Sequence, residues 1–169
     1  AFTDDDISMQ VIADHARATS FLVADGIQPS NEGRGYVLRR IMRRAIRHGR
    51  RLGFDDLFFN QICDAVVERM SLAFPELNEA RALIGKVTEL EETTFRRTLD
   101  TGLRILGQEV EHLKSTQETT LPGSTVFKLY DTYGFPKDLT EVIAAEHKLT
   151  IDEDGFAEAM ADQRERSKG

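Results

Sequence analysis

Residues 34–51 carry eight arginines and no acidic residue: Arg34, Arg39, Arg40, Arg43, Arg44, Arg47, Arg50 and Arg51. A segment with that charge joins a globular core only if its apolar residues fall on one face. The helical period puts them there. Leu38, Ile41, Met42, Ala45 and Ile46 follow the offsets 0, 3, 4, 7 and 8 and make one apolar stripe. Arg39, Arg43, Arg47 and Arg50 descend one side of the opposite face, and Arg40, Arg44 and Arg51 the other. The pattern predicts a helix from about Gly35 to Leu52, ended by Gly53.

The rest of the chain is acidic. The 169 residues hold 22 basic and 29 acidic side chains, a net charge of −7. Removing residues 34–51 leaves 14 basic against all 29 acidic ones. An acidic body with one concentrated arginine element reads as a local anion-binding device. The arginine rows repeat about every ~5.4 Å, one helical turn, close to phosphate spacing along a nucleic-acid strand. Arginine suits bidentate phosphate contacts better than lysine does. Two other readings stay open. The face could be solvated and paired to the acidic remainder through salt bridges. It could also lie on a membrane surface, although such helices usually carry lysines and exposed bulky aromatics.

The remaining periodicity is helical throughout. A first helix holds Ile7, Val11, Ile12, Phe21 and Leu22, with Asp4 to Asp6 in its first turn, and stops at Asp25-Gly26. Residues 27–33 form a loop dense in turn formers. A third helix runs from about Asp55 to Ala73, with Leu57, Ile62, Val66 and Met70 inward and Pro75 beyond its end. Leu77 to about Thr116 is one long helix or a helix pair, interrupted by Gly85, Gly102 and Gly107. A turn at residues 119–124 precedes a short helix near Val126 to Tyr130, the motif Asp131-Thr132-Tyr133-Gly134-Phe135-Pro136, and helices at about Leu139–Lys148 and Glu153–Arg166. Strand–helix alternation, internal repeats and low-complexity tracts are not seen. The expected fold is all-α: an irregular bundle with one arginine-rich amphipathic helix and a long helix or helix pair, as one domain over 1–169, any subdivision falling near 117–124.

Catalytic signatures are missing. The chain has no Walker-type phosphate loop, no His-Glu-x-x-His and no Gly-x-Ser-x-Gly. His15, His48, His112 and His147 stand alone, so no metal site is expected. Cys63 lies among Ile62, Ala65 and Val66 and reads as a small core residue. The acidic start, Ala1 to Asp6, reads as neither signal nor transit peptide, and no apolar run approaches a membrane span. With a single cysteine a cytoplasmic protein is expected, and the missing signatures make it a binding module or an enzyme fragment without its active site.

Longer blocks carry a resemblance. Val11 to Arg17, Phe21 to Gly26, Pro29 to Ala45, Phe127 to Pro136 and the tail from Gly155 to Arg164 resemble the alanyl-tRNA synthetases over nearly the whole chain. Residues 54–122 match loosely. The resemblance implies the helical tRNA-recognition middle domain that follows the class II core. The parent would attach alanine using ATP and magnesium in a core upstream, and hold zinc in an editing domain downstream. No cofactor is expected within this stretch. Its partners would be the acceptor stem of tRNA(Ala) and those two domains, with no membrane.

The family identifies its tRNA by a guanine–uracil wobble pair at the third position of the acceptor stem. A-form RNA offers a wide, shallow minor groove that side chains can reach. The guanine amino group is a donor there, so a carboxylate is a natural partner, and an amide can bridge the two bases. The resemblance implies Asn31 and Asp131 in these roles. It implies backbone contacts for Arg34, Arg39, Arg40, Arg43, Arg44 and Arg47. Read without it, Asn31 could cap the arginine helix, and Asp131 could cap a turn before Gly134. A structural module whose arginine face docks an acidic protein surface is the reading from another class.

Overall fold

The structure is a computed structural model and describes residues 2–169. Among the described residues it has eight helices and two two-residue strands: α1 Asp4–Ala24, α2 Gly33–Arg51, α3 Phe59–Met70, α4 Pro75–Glu79, α5 Arg81–Ser115, β1 Thr120–Leu121, α6 Gly123–Tyr133, α7 Lys137–Glu146, β2 Thr150–Ile151 and α8 Glu153–Lys168. The all-α expectation holds. Two compact units divide the chain, Ala1–Arg96 and Arg97–Gly169.

In the first unit, α1 starts with a reciprocal cap. Asp6 N–H donates to Thr3 Oγ1 at 3.1 Å, and Thr3 N–H donates to Asp6 Oδ2 at 3.0 Å. α1 packs on α2 and α3. Four of the five α2 stripe residues, Leu38, Met42, Ala45 and Ile46, are at 0% exposure, and Ile41 is half-buried. Leu38, Met42 and Ile46 each contribute roughly 1.5–3 kcal/mol by leaving water, and the Ala45 methyl less than about 1 kcal/mol.

α3 departs from the sequence reading. It begins at Phe59 rather than near Asp55; Phe59, Cys63 and Val67 are its fully buried residues, and the expected Ile62, Val66 and Met70 pack half-buried against the same core. Tertiary contacts set this start. Glu92, fully buried in α5, accepts from the N–H groups of Phe58 (3.0 Å) and Phe59 (2.9 Å). Arg96 donates to the carbonyls of Phe54, Asp55 and Asp56 at 3.0, 3.0 and 2.8 Å. These bonds hold residues 54–58 as a loop and supply the cap that α3 lacks locally.

α5 is one continuous helix of 35 residues despite its three glycines. Packing decides this over propensity.

In the second unit, β1 and β2 pair in parallel, Thr120 with Thr150 and Leu121 with Ile151. Leu121 and Ile151 point inward. Pairs this short leave no period-two signal in the sequence. α6 and α8 approach backbone to backbone, since a Cβ on Gly123 would lie 2.4 Å from the carbonyl carbon of Gly155. The Asp-Thr-Tyr-Gly-Phe-Pro motif ends α6 and starts α7. Gly134 takes the left-handed cap at φ 71°, and Phe135 N–H returns to the Leu129 carbonyl at 2.9 Å. Phe135 is fully buried against Gly102 of α5, and Thr98 Oγ1 donates to the Tyr133 carbonyl at 2.7 Å.

Candidate nucleic-acid interface

The arginines of α2 divide by depth. Arg43 and Arg47 are only 6% exposed, so two of the six arginines that the resemblance assigns to the RNA backbone are withdrawn from the surface. Arg34 is exposed, and Arg39, Arg40 and Arg44 are half-buried. The reason lies in α5. Its Glu91, also 6% exposed, accepts at Oε1 from Nε of Arg43 and Nε of Arg39, both at 2.9 Å. The Arg43 guanidinium also lies over the Phe95 ring, 4.9 Å from its centroid. Burial pushes the Arg43 pKa below its ordinary value, and Glu91 opposes that shift. The salt-bridged alternative is thus realised for Arg39 and Arg43. The acidic partner was in the sequence, but nothing local tied Glu91 to residues 48 and 52 positions earlier.

Asn31 lies exposed just before α2. It does not cap the helix: the N-cap residue is Glu32, with no side-chain cap bond. Asn31 Oδ1 instead accepts from Nη1 of Arg39 at 2.6 Å. Ser30 Oγ donates to the Glu32 carbonyl at 2.8 Å and shapes the loop. Gly35 admits that loop, since a Cβ there would sit 2.3 Å from the Gln28 carbonyl oxygen.

Asp131 is exposed on α6, one turn before the Gly134 cap, which forms without its side chain. Oδ1 of Asp131 accepts from Nε2 of Gln163 on α8 at 2.5 Å. Tyr130 packs its ring on Phe156 at 5.8 Å and Phe127 at 6.5 Å, a packing role. Each candidate reader is therefore held by one donor from elsewhere in its own unit. Gln163 and Glu91 had no signal in spacing or composition that would have singled them out.

The other titratable groups read as structural. Burial pushes the Cys63 thiol up to about 12, which leaves it a core residue rather than a nucleophile. Among the described residues, no three His, Cys, Asp or Glu side chains converge as a metal would need. No helix among them is long and apolar enough to cross a membrane.

A family model described as tRNA synthetases class II (A) matches residues 2–169. The chain belongs to that family. Its similarity to alanine–tRNA ligases is high. One from Anaeromyxobacter sp. (strain Fw109-5) is 56% identical over 179 residues, covering 98% of this chain and 20% of the relative. One from Psychromonas ingrahamii is 54% identical over 164 residues, covering 97% and 19%. The chain thus spans about a fifth of the length of these synthetases.

Proposed function

We propose that this chain is the helical tRNA-recognition domain of an alanine–tRNA ligase, and that it binds the acceptor stem of tRNA(Ala) from the minor-groove side. The observation that carries the reading is the exposed Asn31 amide, anchored at the edge of the arginine helix instead of being spent on a cap. Asn31 and Asp131 read the guanine–uracil pair. Arg34, Arg39, Arg40 and Arg44 hold phosphates, while the buried Arg43 and Arg47 brace the helix that presents them. The parent enzyme attaches alanine in the cytoplasm with ATP and magnesium, and clears errors in a zinc-holding editing domain. On this reading both metals belong to other parts of the parent.

The test is fluorescence anisotropy with acceptor-stem hairpins that carry a guanine–uracil or guanine–cytosine third pair, at two salt concentrations. The reading predicts tighter binding of the wobble hairpin and a loss of affinity with salt. Absence of binding at low salt contradicts it and favours a face that docks an acidic protein surface.

A further inference from the structure

We infer that Arg39, held by the buried carboxylate of Glu91, is a positioning residue that turns the donor end of the Asn31 amide outward. The inference rests on the proposed reading role of Asn31 and assigns that role a polarity.

The argument starts from donor inventory. A guanidinium only donates. The Asn31 atom facing Arg39 is therefore the carbonyl oxygen, at 2.6 Å. The amide is planar, so its NH2 group is directed away from Arg39. An amide left to itself turns over and presents either end; here one orientation keeps a charge-assisted bond and the other opposes two donors.

The anchor is built inward in steps. Arg39 retains 24% of its side-chain exposure, and its Nε is tied to Glu91 Oε1 at 2.9 Å. Glu91 is buried and held from a second side by Arg43 at 2.9 Å. Arg43 is fixed in turn over Phe95 at 4.9 Å. A surface amide is thus indexed to the α2–α5 packing through two ion pairs on one carboxylate oxygen. The outward NH2 selects acceptors, such as uracil O2 or guanine N3 in a minor groove, and rejects donors. Asp131, which only accepts, has the opposite preference. Arginine suits this post because it serves Glu91 through Nε and Asn31 through Nη1 at once; a lysine would offer one compact ammonium.

The test uses Asn31→Asp and Arg39→Lys in the 169-residue chain, with the two hairpins above and NMR of the Asn31 side-chain amide. Asn31→Asp keeps the oxygen facing Arg39 but replaces the outward donor with an acceptor. It should fold with an unchanged or raised Tm and lose wobble preference by roughly fivefold or more. Arg39→Lys should make the Asn31 NH2 visibly more mobile in 15N relaxation and lower the preference in the same direction. An Asn31→Asp chain that discriminates as the wild type does would overturn the inference. So would an Asn31 amide equally rigid in Arg39→Lys. A wild-type chain that binds both hairpins equally would instead remove the reading role of Asn31, and the inference with it.

Discussion

Oε1 of Glu92 on α5 accepts from the N–H of Phe59 at the first residue of α3, at 2.9 Å, and the glutamate is fully buried there. It also takes the Phe58 N–H, while Oε2 takes Arg96 Nε at 2.9 Å. Glu92→Ala strips the α3 start of its acceptor and the half-buried Arg96 of its carboxylate together. The expected loss is about 3–5 kcal/mol, read as a fall in the urea midpoint. Glu92→Gln keeps an oxygen for the two N–H groups and should lose about half as much. Equal stability of all three chains would show that α3 starts without this cap.

Glycines in the helices separate by what lies beside them. A Cβ on Gly49 would sit 2.1 Å from the Phe58 ring, and one on Gly102 would sit 2.5 Å from the Phe135 ring. Gly85 and Gly107 have nothing within 4 Å. Gly49→Ala and Gly102→Ala should destabilise by about 1–3 kcal/mol. Gly85→Ala and Gly107→Ala should stabilise by about 0.5–1 kcal/mol. Denaturant midpoints check the sign of each.

His15 sets a pH dependence. Burial lowers its pKa below 6.5, the Arg44 charge lowers it further, and Asp14 opposes both. The unfolded chain therefore binds the proton more readily than the fold. Stability from this site is complete above about pH 6.5 and declines as pH falls toward the folded pKa. NMR titration should place the His15 midpoint below 6.5, and His15→Gln should remove that part of the decline. A midpoint at or above 6.5 contradicts the burial.

Buried and surface arginines of α2 should fail differently. Arg43→Met takes one of two arginines from the buried Glu91 and leaves it its pair with Arg39, and about 3 kcal/mol of stability should go. Arg44→Ala should leave Tm nearly unchanged, weaken RNA binding for both hairpins alike and flatten the salt slope by about one. The reverse pattern would exchange their roles.

Local periodicity made much of this molecule legible. The α2 stripe, the stop after Ala24 and the paired helices after Pro136 all follow from spacing and turn residues. What escaped was long-range. The start of α3 depends on Glu92 and Arg96, more than 30 residues away. The burial of Arg43 depends on Glu91 and Phe95. The two-residue strands gain their place from Leu121 and Ile151 packing inward. The candidate readers were legible only through resemblance, because an exposed Asn or Asp before a turn looks like a cap. In the structure Asn31 accepts from Arg39 and Asp131 from Gln163, and neither caps a helix.

The most direct test measures the binding ratio of the guanine–uracil to the guanine–cytosine hairpin for the wild type and for the Asn31→Ala/Asp131→Ala double variant. The account predicts a ratio well above one in the wild type, falling to about one in the double variant, with the salt slope and Tm of the two chains alike. A double variant that still prefers the wobble hairpin as strongly as the wild type would contradict it.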